Sequence, residues 1–319
     1  MRLFPGCVRC VIGAVAAWVC AVLLVGSARA QNTSTSSPPA QARGDAFLAE
    51  VLATLQRRPN VAARLRYRAR LEDETLTGSG RYWQRGTGSS RVTRWEMQTQ
   101  VAGKTASYVQ VFDGDHLWTD RTLPGGRRVN RLDTSRLQSR LRTAAFASLN
   151  NGPKPTWQSL VEETEGQGGL AQLLADSLRR FTFAPPQPVQ LNGLSVYALL
   201  GRWRGEELQK LWPEFGTPDE PTSWPTRLPH HTLILVGKSN LFPYVVEHRR
   251  QADSAEQPGV VSDRPTTDPL MRCELFEVQF AAEMDDSLFE FKPGDIQWSD
   301  ETSLVLERLK EQAQATNAL

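Results

Sequence analysis

Apolar residues recur at every second position along residues 61–71 and alternate with arginines from position 64 onward, which makes this segment the clearest strand of the chain. A period of two over ten residues predicts a strand with one buried face and one face in water. The arginines at positions 64, 66, 68 and 70 are interpreted as a solvated outer face in preference to an anion site. The apolar set is Val61, Ala63, Leu65, Tyr67, Ala69 and Leu71.

Other short segments of similar pattern follow, separated by turn signals such as Asp113-Gly114 and Asn192-Gly193. In the last of them Phe276, Val278 and Phe280 are predicted to share one face, with Phe289 and Phe291 continuing the pattern. Because the connections are short, the strands are predicted to be antiparallel. The predicted strands are 77–84, 91–99, 107–112, 116–120, 127–132, 181–183, 194–203, 232–237, 242–250 and 270–281. In the first of these, Gly78 and Gly80 are predicted to mark a bend or a close approach of the backbone to a neighbour.

Helical spacing of apolar residues predicts a first helix that begins at Asp45 as N-cap and ends before Pro59. Further helices are predicted at 134–148, 168–180, 205–212 and 301–314. About ten antiparallel strands with few helices indicate an α+β, mainly antiparallel β fold. Its single curved sheet has one apolar face, and the helices are the obvious cover for that face.

The first 30 residues have the pattern of a secretory signal peptide. A basic start precedes an uncharged apolar run at 11–25, and Ala28-Arg29-Ala30 is a small-x-small cleavage site. We therefore predict cleavage after Ala30 and a periplasmic location, with a disordered linker at 31–43. Residues 301–319 are predicted to form a C-terminal helix and tail.

Composition excludes several function classes. Removing the three leader arginines from the 37 basic residues leaves 34 against 35 acidic ones, a net charge of −1 without a basic block, so nucleic-acid binding is not expected. The chain contains neither the GxxxxGK[ST] loop nor the GxGxxG motif, the two glycine-rich sequences that bind the phosphates of nucleotides. Only Cys273 lies beyond the leader, which rules out an intramolecular disulfide in the cleaved chain.

Catalytic and metal-binding signals are weak, and we predict a non-catalytic protein without a cofactor or metal. The adjacent pair His230-His231 would point to opposite faces of a strand, and Asp113 and Asp115 flank a turn where aspartate is structurally expected. Cys273 is interpreted as a packed side chain. No GxSxG or HExxH motif occurs.

Four motifs, taken in order, resemble the LolA-like periplasmic carriers of outer-membrane lipoproteins. They are Gly78-Ser79-Gly80-Arg81-Tyr82-Trp83-Gln84-Arg85, the pair Trp95 and Met97, Val109 to Trp118 around Asp113-Gly114, and Leu288-Phe289-Glu290-Phe291-Lys292-Pro293. The resemblance implies an unclosed β-barrel at 44–300, enlarged by an insertion at about 134–230, with helices as a lid over an apolar interior.

The resemblance also implies a function: a monomeric carrier that shelters the acyl chains of lipoproteins or lipids. Such a carrier would exchange cargo with an inner-membrane export complex and an outer-membrane receptor, without a stable membrane span. Arg85 falls on the family arginine that holds the lid, although an ordinary exposed arginine is an equal alternative. Gly86 stands where the family has proline.

The candidate lining of the cavity consists of inward apolar positions, for which plain core packing is the alternative reading. They are Leu65, Tyr67, Trp95, Met97, Val109, Val111, Val196, Ile234, Val236, Tyr244, Val246, Phe276, Val278, Phe280 and Phe291. Two other functions stay open. One is an envelope scaffold that binds a protein through residues 134–230, and the other is a secreted hydrolase with an unrecognised site.

Overall fold

The computed structural model describes residues 40–71, 74–141, 164, 167–212, 224–225, 228–250 and 269–307. The predicted signal peptide, most of the predicted linker and much of the predicted insertion lie outside the described residues. Their boundaries therefore stay predictions.

Thirteen strands of the described chain form one sheet. They are β1 (Asn60–Leu71), β2 (Glu74–Arg85), β3 (Val92–Val101), β4 (Lys104–Phe112), β5 (His116–Leu123), β6 (Gly126–Asp133), β7 (Phe181–Phe183), β8 (Gln187–Leu191), β9 (Leu194–Trp203), β10 (His231–Gly237), β11 (Pro243–Arg249), β12 (Met271–Gln279) and β13 (Trp298–Asp300).

The hydrogen-bonded order is β13-β6-β5-β4-β3-β2-β1-β12-β11-β10-β9-β7, and β8 also pairs with β9. Every pair is antiparallel except β13 with β6, which is parallel. Strand β1 thus joins the meander β2–β6 to the later strands β9–β12, because it pairs with both β2 and β12. Among the described strands β13 and β7 end the order, so the sheet is unclosed, as the sequence predicted.

The described residues include the helices α1 (Ala40–Arg57), α2 (Thr134–Leu141), α3 (Gly169–Arg180) and α4 (Gly205–Leu211). Residues 302–307 are helical as well. The predicted N-cap at Asp45 is wrong, because α1 begins five residues earlier. Asp45 instead lies inside the helix, where its carboxylate accepts a hydrogen bond from the Phe183 amide at 2.8 Å and pairs with Arg204 at 2.6 Å.

Two glycines let the sheet curve strongly at β2. A side chain at Gly78 would overlap the ring of Tyr67 on β1, and one at Gly80 would overlap the carbonyl oxygen of Glu96 on β3. Tyr67 therefore lies across Gly78, and it also hydrogen-bonds Thr99 on the far side. The close approach predicted for the two glycines is confirmed.

A β-bulge reverses the faces of β12 near its end. The register with β1 shifts between the pairs Ala62–Gln279 and Arg64–Phe276, and Glu277 has a φ of 50° in the left-handed region. Because one residue is inserted, Phe276 and Val278 point to opposite faces. The prediction that these two residues share a face is therefore wrong. Phe289 is also not in a strand but ends a 3₁₀ turn at Asp286–Phe289.

Candidate functional site

The face of the sheet that α1 and α3 cover, here the concave face, carries the main hydrophobic cluster of the protein. We call this set of residues the concave cluster. From the helices it includes Leu48, Val51, Leu52, Leu55, Leu170, Leu174 and Leu178, and from the strands Val61, Leu65, Tyr82, Trp95, Met97, Tyr108, Ile234, Val236, Val246 and Leu275. Half-buried apolar side chains continue it at its edges, among them Tyr67, Leu241, Tyr244, Met271, Val278 and Phe280.

Ten of the fifteen predicted lining residues belong to the concave cluster or pack against it. These are Leu65, Tyr67, Trp95, Met97, Ile234, Val236, Tyr244, Val246, Val278 and Phe280. The curved sheet thus brings together residues that lie more than 200 positions apart in the chain. Whether they contact a lipid stays a prediction.

The other five predicted lining residues lie elsewhere, namely Val109, Val111, Val196, Phe276 and Phe291. On β4 the concave positions are Tyr108 and Gln110, so the two valines point to the opposite, convex face. Val196 belongs to a separate cluster with Leu233, Leu235 and Val245. Apolar character misled the sequence interpretation here, because both faces of these strands are covered.

The C-terminal segment after β12 covers part of the convex face. Phe291 stacks on Trp118 of β5 with ring centroids 5.2 Å apart, and Trp298 meets the same indole edge-on at 5.4 Å. Arg94 of β3 donates a hydrogen bond to the Leu288 carbonyl at 3.1 Å. The segment Phe289-Glu290-Phe291-Lys292-Pro293 therefore packs on the convex face of the sheet.

Arg85 belongs to this outer contact as well. Its guanidinium lies 5.0 Å from the centroid of the Phe289 ring, pairs with Asp286 and reaches the Met284 carbonyl at 3.4 Å. These partners all come from the C-terminal segment and not from α1 or α3. The lid contact implied by the family resemblance is therefore not the one that Arg85 makes here.

The arginine row of β1 forms part of the convex face, as predicted. Arg66 donates to Glu274 of β12 at 2.8 Å, and Arg272 pairs with the same carboxylate at 3.1 Å. Burial alone would raise the pKa of Glu274, but the hydrogen bond from Arg66 and the charge of Arg272 outweigh it and lower that pKa. Arg64 and Arg66 also lie over the Phe276 ring. The row is a network of cross-strand pairs on a solvated face.

A polar layer lies between the sheet and the covering helices. The Gln84 amide donates to the carbonyls of Leu55 at 2.9 Å and Arg58 at 3.0 Å, and accepts from the Tyr82 hydroxyl at 2.8 Å. The Gly169 amide at the start of α3 donates to Gln110 Oε1 at 2.8 Å. Side chains of the sheet thus satisfy backbone groups at two helix ends.

Arg91, just before β3, is the residue of this layer that the sequence interpretation missed. It is only 2% exposed, and its Nε and Nη1 atoms have no hydrogen-bond partner in the described part of the chain. A signal existed, because Arg91 has the same parity as Thr93, Trp95 and Met97, all of which are buried. An arginine at an inward position of a strand pattern is unusual.

Groups that could act in covalent catalysis are poorly placed. Burial raises the pKa of the Cys273 thiol to about 12, and burial lowers the pKa of His248 to about 3 with help from Arg180. The thiol is therefore protonated and the imidazole neutral near pH 7. Among the residues with described positions, no group of three His, Cys, Asp or Glu side chains could hold a metal ion. Within the same residues, no helix has the length and apolarity needed to cross a membrane.

No family model and no curated protein matches the chain. Solved structures do. A DUF1329 family protein from Desulfovibrio piger is 13% identical, with 80% of this chain and 98% of that chain covered and a TM-score of 0.34. A LolA superfamily protein from Nitrosomonas europaea is 12% identical, with 78% and 98% covered and a TM-score of 0.27.

MucB in the MucA/MucB complex of Pseudomonas aeruginosa is 10% identical, with 77% of this chain but only 60% of that chain covered and a TM-score of 0.36. A LolA superfamily protein is thus among the solved structures to which the chain is similar. At these identities and TM-scores the likenesses say nothing about what the chain binds.

Proposed function

We propose that the protein is a non-catalytic, periplasmic carrier that shelters acyl chains of lipids or lipoproteins between the concave face and its covering helices. One observation supports the proposal most: the concave cluster is continuous from the helices to the curved, unclosed sheet, and half-buried apolar side chains remain at its edges. A core that served packing alone would not need Tyr67, Val278 and Phe280 partly open to water.

The energetics of such a carrier are favourable. Burying an acyl chain gains about 0.8 kcal/mol per methylene, so fifteen methylenes would gain roughly 12 kcal/mol before ordering costs. Helices α1 and α3 bury Leu48, Leu52 and Leu174 against each other and the sheet when no cargo is present. Displacing them would cost part of the gain, which keeps the binding reversible.

The helix pair has few ties to the sheet edge where cargo would enter. Helix α1 packs mainly on α3 and on β7, and the first turn of α3 lies against Thr93 of β3. On the Tyr67 side of β1 the concave residues Leu76, Val101 and Ala106 form a second, smaller apolar cluster. An acyl chain that leaves the concave cluster in this direction would meet apolar surface.

Native mass spectrometry with lipid extraction tests the proposal on the full chain exported to the periplasm. We expect co-purifying acyl species in the unmodified protein and their loss in Val278→Asp. The control is Phe276→Asp, two residues away on the same strand but on the convex face beside Arg64 and Arg66. That variant should keep the bound species.

A protein that retains no acyl species and takes up no added lipid would contradict the carrier. The alternative is a scaffold that binds a protein through residues around 134–230, and the direct packing of α1 and α3 on the sheet favours it. Cross-linking of the unmodified chain in the periplasm would then capture a protein at this segment, and Val278→Asp would leave the capture unchanged.

A further inference from the structure

In the described part of the chain Arg91 is buried and its guanidinium forms no ion pair. Arg91 is 2% exposed, and within the described residues neither Nε nor Nη1 has a hydrogen-bond partner. Its one defined electrostatic neighbour is Tyr82, and burial raises the pKa of that hydroxyl well above its ordinary value, so Tyr82 is a neutral phenol. Desolvation lowers the pKa of Arg91, as expected of a cation whose charge is not balanced.

Two buried groups on β3 and β4, next to the Tyr82 that neighbours Arg91, are unpaired donors too. Trp95 is 7% exposed and its Nε1 has no partner in the described chain; Gln110 is 2% exposed and its Nε2 has none either. These two residues face each other in the register of β3 and β4, and the Trp95 ring meets the Tyr82 ring at 5.5 Å. The Gln110 amide orientation is set by Oε1, which accepts from Gly169.

The positive end of α3 lies over the same patch. A side chain at Gly169 would contact Tyr82 and Thr93, and one at Gly168 would overlap the Gln110 amide, so the helix start lies directly on these residues. The amides of Gly169 and Leu170 bond to Gln110 and Tyr82, which are neutral. The helix dipole therefore adds positive potential, and the described residues of this helix start, 167–172, include no carboxylate.

Three buried carboxylates of the described chain form ion pairs with arginines other than Arg91. Asp45 pairs with Arg204, Asp120 with Arg127, and Glu247 with Arg249 and Arg272. None of these carboxylates is paired with Arg91, and a buried cation without such a partner is costly.

We infer that Arg91, Trp95 and Gln110 form a subsite for the anionic head of an amphiphile, a carboxylate or a phosphate, whose chain lies in the concave cluster. The inference rests on the proposed carrier function and adds the charge of its cargo. Trp95 is shared by both parts, because its ring belongs to the concave cluster while its Nε1 is a buried donor without a partner among the described residues. A charge-assisted hydrogen bond from arginine would supply the specificity.

Calorimetric titration of the full, delipidated chain tests the subsite with ligands of ten carbons that share one tail. Decanoate and decyl phosphate carry the anionic heads, decanol is the neutral control, and acetate and inorganic phosphate are heads without a tail. We expect at least one anionic amphiphile to bind roughly 10- to 100-fold more tightly than decanol. The tighter of the two identifies the head as carboxylate or phosphate.

Arg91→Met should abolish the preference for the anionic head while leaving decanol binding within about twofold, since the tail contacts are unchanged. Arg70→Met, on the exposed convex face, should keep the preference. The empty Arg91→Met protein should also melt at a higher temperature than the unmodified protein, because an unbalanced buried charge is removed. A merely structural arginine would give the opposite shift.

Trp95→Phe provides a second variant if Arg91→Met does not fold, because it removes only the indole donor and should reduce the preference about two- to tenfold. Equal affinity of decanol and both anions, or an unchanged preference in Arg91→Met, would overturn the subsite and leave the carrier intact. If acetate or inorganic phosphate bound as tightly as the ten-carbon ligands, the inference that the ligand of this subsite is an amphiphile would be overturned. Failure of every ten-carbon ligand to bind would overturn both the subsite and the carrier.

Discussion

Phe291 stacks on Trp118 with ring centroids 5.2 Å apart and ring planes 27° from parallel. Trp118 lies on the convex face of β5, so this stack holds the end of the chain on the side of the sheet opposite α1 and α3. The parallel pairing of β13 with β6 continues the same attachment. The convex face is therefore covered locally, which lets a strand such as β4 be apolar on both faces.

Removal of this stack should destabilise the protein. Phe291→Ala is expected to lower the free energy of unfolding by about 1–2 kcal/mol, since the ring is half-buried and stacked. Chemical denaturation measures the loss, and hydrogen exchange should show reduced protection in β13. The control Lys292→Ala, exposed in the same segment, should change stability by less than about 0.5 kcal/mol. Equal effects of the two variants would contradict the role of the stack.

A methyl group at Gly80 should not fit into the curved sheet. Because its Cβ would overlap the Glu96 carbonyl oxygen, Gly80→Ala is expected to cost about 1–3 kcal/mol of unfolding free energy, or more if β3 cannot shift. Gly125→Ala is the matched control, since nothing lies within 4 Å of its Cβ position. Thermal unfolding that gave the same midpoint for both variants would show that β2 and β3 tolerate separation.

The pair between Asp45 and Arg204 holds α1 against the strands that follow α3. Asp45→Asn keeps an acceptor for the Phe183 amide but removes the charge opposite Arg204, and we expect a loss of about 2–4 kcal/mol because both side chains are mostly buried. Urea denaturation gives the value. Glu50→Gln, on an exposed position of the same helix, should leave the midpoint nearly unchanged.

Acid should weaken the C-terminal attachment through Asp300. Burial raises the pKa of Asp300, but hydrogen bonds from Arg131 and Thr302 outweigh burial and lower that pKa to about 2. Because the folded pKa lies below the ordinary value of 3.8, the carboxylate stabilises the fold above about pH 4, and this contribution is lost as the pH falls towards 2.

The corresponding variant is Asp300→Asn. Urea denaturation at pH 6 should show it less stable than the unmodified protein. At pH 2.5 the two should be closer, because the unfolded aspartate, with its ordinary pKa of 3.8, is then mostly protonated and ionisation favours the folded state less. A difference that stays constant across this range would mean that Asp300 does not act through its charge.

Local pattern was sufficient to predict most strands, because alternation along a strand depends only on which face is wet. Residues 61–71 and 194–203 are predicted within one residue of the observed β1 and β9. The same holds for the glycines at 78 and 80, whose missing side chains permit close strand approach. The unclosed, curved α+β architecture followed from these strands and from the family resemblance together.

Faces and partners depended on the tertiary structure. A single inserted residue at Glu277 turns Phe276 and Val278 to opposite faces of the sheet. Val111 points to the convex face, where the nearby C-terminal segment provides apolar cover. Neither cause is visible in local periodicity, because each depends on a contact with a distant part of the chain. The short parallel strand β13 escaped prediction for the same reason.

By itself, then, the sequence determined the period of each strand, the sharp turns and the apolar character of an interior. The tertiary structure alone shows that β1 lies between β2 and β12, that Arg85 faces outward, and that the buried Arg91 has no carboxylate partner among the described residues. The physical reason is that burial and charge balance depend on the sum of all neighbours in space, whereas a pattern along the chain records only the neighbours in sequence.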